Sequence, residues 1–346
     1  MSSSAEKQSR SKRETRSWDY VLRSGAAGGI AGCVAKTAIA PLDRVKILFQ
    51  AASPEYQKYS GKWLGVIDAG RKIVHEQGIL GLFQGHSATL LRIFPYAAVK
   101  YMAYDAFHLA LMPTPQLETN LRLFIAGSLS GMLSVFFTYP LELIRVRLAF
   151  DTRAHPHKSL WAVMSTIYHE GAPTVSADGK VQQMNRTSAT LESLPILKFY
   201  RGFTATLLGM IPYAGTSFLV FGRCKSALYH TFLHKETNGQ PLPGYEHVKP
   251  VWHLNRTVVD LTAGALAGAI SQTASYPLEV IRRRQQIGGI INPSSMMTMR
   301  ETAELIYQTN GWRSFYVGLS IGYIKVMPMT AISFAVWSAM KRKLGI

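Results

Sequence analysis

The sequence predicts an all-α membrane protein with six transmembrane helices, arranged as three pseudo-threefold repeats that each include a short amphipathic helix. Two observations predict this fold. Apolar segments approach the roughly 20 residues that a membrane-spanning helix needs, and one phrase of proline, acid and base occurs three times in the chain. The composition agrees, because hydrophobic residues make up 47% of the 346 residues and charged residues only 17%.

The formal net charge of +18 raises the alternative of a soluble nucleic-acid-binding protein. The basic residues alternate with apolar segments and are not gathered in one soluble module, which argues against nucleic acid as a partner. A mean hydropathy of +0.06 is low for a membrane protein. We expect this value if each helix has one side that faces a water-filled cavity, where polar groups are tolerated.

The two cysteines, Cys33 and Cys224, have neither a disulfide framework nor a metal-binding spacing. No metal and no cofactor are therefore expected. Motifs for nucleotide hydrolysis, redox cysteine pairs and zinc proteases are also absent from the sequence, and nothing in it resembles an enzyme.

The chain is predicted to divide at its polar segments. These are rich in Ser, Thr, Gly or Pro and are interpreted as a tail and as loop insertions. The predicted parts are a polar N-terminal tail at 1–19, repeat 1 at 20–112, repeat 2 at 119–233 with an insert at about 172–198, a linker insert at 234–254, and repeat 3 at 255–346.

Each repeat opens with an apolar helix that contains the proline phrase, at Pro41, Pro140 and Pro277. Nine residues before each proline stands a glycine, and a second glycine stands four residues earlier. Small residues one turn apart let helix backbones approach closely in lipid. We therefore predict helix contacts at the three glycine pairs, which are Gly28 and Gly32, Gly127 and Gly131, and Gly264 and Gly268.

Each repeat then continues in the same order. An amphipathic segment such as "WLGVIDAGRKIVHE" has apolar residues near helical spacing. An aromatic-x-glycine step follows, and a second apolar helix contains an inner proline, at Pro95, Pro212 and Pro328. An even number of membrane helices places both termini on one side of the membrane.

The threefold phrase P-x-[DE]-x-x-[KR], with its downstream glycine and aromatic step, resembles the signature of the mitochondrial carrier family, over roughly residues 20 to 342. Leu48 departs from the family pattern by replacing a second base, and Gln77 and Asn310 stand where an acid usually precedes glycine. Stretches such as "APLDRVKILFQ" and "MPMTAISFAVW" are most similar to the coenzyme A and adenine-nucleotide group of this family. The long inserts are similar to those of its coenzyme A and Graves disease carrier group.

This resemblance implies a transporter of the mitochondrial inner membrane, with both termini on the intermembrane-space side and the amphipathic helices on the matrix side. It also implies a monomer that binds cardiolipin. Glycine steps at the starts of the loop helices would expose backbone amides to the phosphates of this lipid. The candidate positions are Gly61, Gly85, Gly202 and Gly318.

The charges of the proline phrases are expected to close one end of the cavity. A proline kinks a helix, so the three first helices would turn towards a common axis and bring their charges together. The acids are Asp43, Glu142 and Glu279, and the bases are Lys46, Arg145 and Arg282. By resemblance this ring is the matrix gate, and Gln50 of repeat 1 and Gln286 of repeat 3 would brace it. In repeat 2 the corresponding position is occupied by Ala149.

The cytoplasmic gate implied by the resemblance is weaker. Only Asp105 offers a carboxylate there, with Lys225 as its partner. Three pairs at one end against one at the other predict that the empty carrier rests open to the cytoplasmic side. Arg44 and Arg283, next to the gate residues in sequence, are expected on a solvated face.

Residues that break the threefold pattern indicate the substrate site. Five residues before the prolines stand Lys36, Val135 and Gln272, and three residues before the inner prolines stand Arg92, Gly209 and Lys325. The three cations would hold phosphates. Gly209 would leave room for a flat base, and by resemblance Met210 belongs to an adenine contact, with Tyr213 and Lys100 one or two helical turns beyond the contact positions.

The predicted function is transport of coenzyme A, or of a relative such as dephospho-coenzyme A or adenosine 3′,5′-diphosphate, by alternating access. An exchanger of the ADP/ATP or ATP-Mg/phosphate type is the alternative within transport. A non-transporting membrane adaptor is the alternative from another class, and the unmatched bases Lys36, Arg92 and Lys325 argue against it.

Overall fold

A computed structural model describes residues 18–62, 64–114, 117, 119–152, 159–170, 195–232, 256–291 and 297–344. All regular secondary structure in these ranges is helical. The predicted linker insert at 234–254 lies outside the described residues, as do all but the ends of the predicted tail at 1–19 and of the insert at 172–198.

The helices follow the predicted order of a long helix, a short helix and a second long helix. Repeat 1 contains α1 (Trp18–Gln50), α2 (Pro54–Gln57), α3 (Gly65–Gly81) and α4 (His86–Leu111). Repeat 2 contains α5 (Asn120–Phe150), α6 (Leu160–His169), a 3₁₀ helix (Pro195–Tyr200) and α7 (Phe203–Phe232). Repeat 3 contains α8 (Arg256–Ile291), α9 (Met299–Asn310), a 3₁₀ helix (Gly311–Tyr316) and α10 (Leu319–Leu344).

The starts of three helices are fixed by hydroxyl caps that accept hydrogen bonds from backbone N–H groups of the first turn. Thr119 caps α5 and Ser159 caps α6. Thr298 forms a capping box with Glu301 at the start of α9. Each cap satisfies a donor that has no partner inside the helix, and is worth roughly 1 kcal/mol.

The six prolines lie inside the six long helices, which continue beyond them. In α1 the residues that follow the proline are the most protected part of the helix, and every residue from Asp43 to Gln50 is buried. The charged phrase therefore lies in the protein interior. Its carboxylates and bases must find partners there, because an unpaired buried charge is costly.

Four stretches of the described chain have the length and hydropathy to cross a membrane: Arg23–Gln50, Leu121–Phe150, Pro195–Leu228 and Met299–Leu344. The helices α4 and α8 are comparably long, at 26 and 36 residues, but include ionisable residues such as Arg92 and Glu279. Large apolar side chains of α4 and α10, including Met102 and Met327, are exposed. Such a surface suits lipid.

Five of the six glycines in the three pairs lie in open space, and within the described part of the chain the predicted close helix contacts are absent at these five positions. At Gly28, Gly32, Gly127, Gly264 and Gly268, an added Cβ atom would meet no atom of another described element within 4 Å. These glycines line open space in this state, so their small size leaves room and does not bring two backbones together.

The described chain divides into two compact units. The first comprises residues up to Arg201 together with Arg283–Met297 and Ser320–Ile346, and the second comprises Gly202–Arg282 and Thr298–Leu319. The core of the first unit packs α5 against α4 and the loop helix α6, through Ala88, Leu143, Ile144, Leu148, Val163 and Ile167. The core of the second unit packs α8 against α7, α9 and the 3₁₀ helix Gly311–Tyr316. Its buried residues are Ala205, Tyr276, Val280, Ile281, Ile306 and Phe315.

Gly85, which precedes α4, is required both for its backbone conformation and for its closeness to α5. Its φ is 81°, and an added Cβ would lie 2.8 Å from the carbonyl oxygen of Arg145 and 3.1 Å from the nitrogen of Ala149. Ala149, where the resemblance places a glutamine in other repeats, is small enough to allow this approach.

Gly85→Ala is expected to lower the free energy of unfolding by about 2–5 kcal/mol, from a left-handed backbone (roughly 1–2 kcal/mol) and an overpacked contact (roughly 1–3 kcal/mol). Gly61→Ala is the matched control, because Gly61 has φ 92° but open space around it. It should show the backbone cost alone. The measurement is thermal unfolding in detergent, and equal losses in the two variants would contradict the packing argument.

Candidate functional site

Two buried carboxylates organise the candidate site in the first unit. Asp43 of α1 and Glu142 of α5 are 7% and 3% exposed. Each stands two residues after the proline of its helix, on the protected C-terminal half. A buried carboxylate stays ionised only where cations or hydrogen-bond donors surround it, so their partners define the chemistry of the site.

Asp43 accepts hydrogen bonds from two cations, one at each carboxylate oxygen. Arg145 Nη2 lies 2.9 Å from Oδ2, and Lys325 Nζ lies 2.8 Å from Oδ1. The structure thus brings together an acid of the first proline phrase and a base of the second. Lys325, a predicted substrate residue, shares the same carboxylate.

Glu142 has a similar arrangement. Arg92 Nη1 lies 3.0 Å from Oε2, and Arg283 Nη1 lies 3.3 Å from Oε1. The Arg92 guanidinium also lies 5.4 Å from the ring centroid of Tyr96, within the range of a cation–π contact. A second predicted substrate cation therefore pairs with a predicted gate carboxylate.

The expectation that Arg44 and Arg283 face solvent is wrong. Arg44 is 1% exposed and donates to the carbonyl oxygens of Ala149 and Asp151, both at 3.2 Å. These carbonyls end α5, where the helix has no internal donors for them and a cation is favourable. Arg283 pairs with Glu142, as described above. Arg44 lies within the proline phrase of α1 and Arg283 directly follows that of α8, and the adjacent helices supply acceptors that sequence spacing does not reveal.

The two predicted bracing glutamines are both buried. Gln286 accepts from Arg283 Nη1 at 2.9 Å and donates to the Tyr139 hydroxyl at 3.1 Å. The backbone carbonyl of Gln50 accepts from Arg284 Nε at 3.3 Å. Gln286 thus holds Arg283 in place against Glu142. Lys46, a predicted gate base, is buried as well.

A buried ion triad lies next to these residues and was not predicted. Arg147 donates to both carboxylate oxygens of Glu170, and Arg201 Nη1 lies 3.3 Å from Glu170 Oε2. Arg147 Nε also donates to the carbonyl of Gln286 at 3.1 Å. One feature of the sequence could have indicated the triad: repeat 2 has an acid at Glu170, whereas repeats 1 and 3 have Gln77 and Asn310 at the corresponding position.

Lys36, the third predicted substrate cation, is partly buried in the same region. It lines a cavity of about 20 Å³, enough for roughly one water molecule, together with Asp43, Arg145 and other residues. The charged groups that act on it electrostatically are Asp43, Arg92, Arg145 and Lys325. In contrast, Lys100 and Asp105 on α4 are exposed.

The remaining predicted site residues belong to the second unit. Gly209 lies beside Leu278. A Cβ added to Gly209 would lie 3.5 Å from the Cβ of Leu278, which is an ordinary contact distance, so a small side chain would fit there. Tyr213 is exposed and Met210 partly buried. The Lys225 ammonium lies 5.8 Å from the Phe221 ring centroid. Glu279 and Arg282 are partly buried, and their gate roles stay predictions.

The family model for mitochondrial carrier proteins matches three consecutive parts of the chain, residues 17–114, 117–190 and 254–346. The chain belongs to the mitochondrial carrier family. This membership confirms the predicted fold class, an all-α membrane protein with six transmembrane helices in three repeats. Members of the mitochondrial carrier family are transporters, and this carrier is therefore a transporter of a mitochondrial membrane and not an enzyme.

The carrier has relatives in fungi, animals and plants. It is 43% identical to a mitochondrial carrier protein of Saccharomyces cerevisiae, over 96% of this chain and 93% of the relative. It is 39% identical to the human solute carrier family 25 member 16, over 93% of this chain and 88% of the relative. It is 35% identical to the mitochondrial carrier protein CoAc2 of Zea mays, over 92% and 86%.

Proposed function

We propose that this carrier moves coenzyme A, or a close adenine-containing relative, across the mitochondrial inner membrane by alternating access. The observation that carries the proposal is the grouping of Lys36, Arg92 and Lys325 around two buried carboxylates in one unit. None of these cations recurs in all three repeats. Their asymmetry fits a ligand that itself lacks threefold symmetry.

The three cations fit a polyphosphate. Arginine offers a planar fork of donors for phosphate oxygens, and lysine offers a compact point charge. The Nε–H of Arg92 has no hydrogen-bond acceptor among the described residues, so the guanidinium can donate to a further anionic oxygen. Coenzyme A presents an adenine, several phosphate charges and a long neutral arm. The name of the maize relative CoAc2, which contains the abbreviation CoA, supports the same substrate class.

Substrate binding and gate opening would be coupled because both use the same cations. In the ligand-free protein Arg92 and Lys325 pair with Glu142 and Asp43. A phosphate that captures these cations competes with the carboxylates and weakens the gate. Exposed ion pairs contribute roughly 0–1 kcal/mol and buried ones several times more when one partner is removed, so the loss of two partners is enough to shift a closed gate.

The resting state is proposed to be open to the cytoplasmic side. The ion pairs of Asp43 and Glu142 support a closed matrix end, and the exposure of Asp105 supports a weak cytoplasmic gate with Lys225. In this scheme Lys46, Glu279 and Arg282 complete the matrix gate, and Gln50 and Gln286 brace it. Both termini would then lie on the intermembrane-space side.

The adenine is proposed to bind near Gly209, Met210 and Tyr213, with Lys100 as a further phosphate contact. The exposed ring of Tyr213 supports this assignment, since aromatic faces stack on bases. The carrier is further proposed to act as a monomer.

Cardiolipin is proposed to bind at the glycine steps. Gly85, Gly202 and Gly318 have φ of 81°, 79° and 83°, and Gly61 has φ of 92°. The first three directly precede α4, α7 and α10. The expectation that the glycine steps begin the loop helices is therefore wrong for these three, which precede the second long helix of each repeat, whereas Gly61 lies four residues before the loop helix α3. The N–H groups of a helix start still favour a phosphate there.

The test is uptake of radiolabelled coenzyme A, ADP and ATP into liposomes that contain the purified carrier and are loaded with each compound in turn. We expect uptake of coenzyme A to exceed that of ADP and ATP. Preferred uptake of ADP or ATP would replace the proposal with a nucleotide exchanger. Uptake of none of the three would overturn it in favour of a membrane adaptor.

A further inference from the structure

We propose that a cavity in the first unit binds the neutral arm of coenzyme A, a chain of methyl and methylene groups that carries a hydroxyl, two amides and a terminal thiol. The inference rests on the proposed function and deepens it by assigning a separate subsite to this arm. The cavity has a volume of about 470 Å³ and lies between α1, α4 and α10. This volume falls within the roughly 300–1,000 Å³ that small-molecule sites occupy.

The lining of the cavity is mostly apolar. Ile93, Met329, Phe334 and Trp337 contribute large apolar or aromatic side chains. The hydroxyl of Thr330 also lines it, but this hydroxyl already donates to backbone carbonyls of its own helix, those of Val326 and Met327, at 3.0 Å. Such a surface favours a neutral chain and disfavours phosphate groups, which need cations.

One cation marks the end of the cavity at which the charged part of a ligand would lie. Lys36 lines this cavity and also the small cavity that contains Asp43 and Arg145. A ligand that extends from this apolar cavity to Lys36 and the charged groups beside it would be anionic at one end and neutral at the other. Coenzyme A has this distribution of charge, with its phosphates beside the adenosine and its amides and thiol beyond them.

This geometry distinguishes coenzyme A from simple nucleotides. ADP and ATP carry phosphates but no neutral arm, so they would leave the apolar cavity filled with water. Apolar surface that a ligand covers contributes roughly 25 cal/mol per Å² of buried area. The arm subsite would thus add affinity for coenzyme A that no nucleotide without the arm can obtain.

The test fills the cavity from α1. Gly32 lines it, and a Cβ added there would meet no atom of another described element within 4 Å, so the side chain of Gly32→Leu starts in open space beside the cavity. Gly28→Leu is the matched control one turn earlier, where the space is also open and which does not line the cavity. Ser333→Leu fills the same cavity from α10 and guards against a folding defect in the first variant.

The readout is the uptake of radiolabelled coenzyme A and of adenosine 3′,5′-diphosphate, which lacks the arm, by liposomes with each variant. Gly32→Leu and Ser333→Leu should lower coenzyme A uptake about tenfold or more, by steric exclusion of the arm, and change uptake of the diphosphate less than about twofold. Gly28→Leu should change neither. Thermal unfolding confirms folding of each variant.

The outcomes separate this inference from the proposed function. An equal loss of both substrates, or undiminished coenzyme A uptake by both filled variants, would overturn the arm subsite while wild-type coenzyme A transport stands. If the wild type takes up no coenzyme A, the proposed function fails, and the arm subsite fails with it.

Discussion

Lys325→Ala should reduce coenzyme A uptake by reconstituted liposomes about 10- to 100-fold. The substitution removes a phosphate-binding cation and also one of the two cations that Asp43 pairs with. A hydrogen bond to a charged group contributes roughly 1.5–3 kcal/mol, and about 2.7 kcal/mol corresponds to a hundredfold change in an equilibrium constant. Arg92→Ala should have an effect of the same size, through Glu142.

The control for these variants is Arg300→Ala on the loop helix α9. Arg300 pairs with Glu304, but its side chain is 89% exposed, so its removal should leave uptake within about twofold of wild type, as is usual for exposed pairs. Full activity of both Lys325→Ala and Arg92→Ala, in protein that unfolds at the normal temperature, would exclude these cations from the substrate site.

Glu170→Gln should give the largest loss of stability among the charge substitutions. Arg147 and Glu170 are 2% and 4% exposed at their side chains, and Arg201 is 8% exposed. Neutralising the carboxylate removes the negative charge that Arg147 and Arg201 share at Glu170, and breaking a buried ion pair costs roughly 3–5 kcal/mol. The measurement is the midpoint of thermal unfolding of the purified carrier in detergent.

Glu304→Gln is the matched control, because it removes a carboxylate from an exposed pair on α9. Its cost should stay below about 1 kcal/mol. If the two variants unfold at the same temperature, the buried triad does not stabilise the fold.

The fold could be predicted because the proline motif P-x-[DE]-x-x-[KR] occurs three times, and this repetition is compatible with few arrangements of the helices. The spacing of Pro41, Pro140 and Pro277 identified the long helices, and the glycine steps located the starts of α4, α7 and α10. These prolines and glycines affect the backbone of a single helix or turn, so their effect can be inferred from their spacing in the sequence alone.

Contacts across helices could not be predicted in the same way. Arg283 and Arg44 were expected on a solvated face, yet one pairs with Glu142 and the other binds the end of α5. Neighbouring bases in a run such as Arg282 and Arg283 point about 100° apart on a helix, and sequence spacing alone does not say which one meets the carboxylate. Sequence spacing likewise does not show that Gly28 and Gly32 face open space and not a neighbouring helix.

The buried triad illustrates how asymmetry enters a repeat protein. Repeat 2 keeps the acid at Glu170 and ties its loop to Arg147 of α5. Gln77 in repeat 1 instead donates to the carbonyl of Thr152 at 2.7 Å. A neutral amide at this position satisfies a backbone carbonyl but does not compensate a buried guanidinium, so the loops of repeats 1 and 2 are held by different interactions.

The central claim is that Asp43 and Glu142 compete with the substrate for Lys325 and Arg92. The most direct measurement is the affinity of the purified carrier for coenzyme A, by calorimetry, in wild type and in the double variant Asp43→Asn, Glu142→Gln. Removing the competing charges frees the cations, so the account predicts binding about tenfold tighter or more, which corresponds to roughly 1.4 kcal/mol, together with slower transport. Unchanged or weaker binding by the folded double variant would contradict the claim.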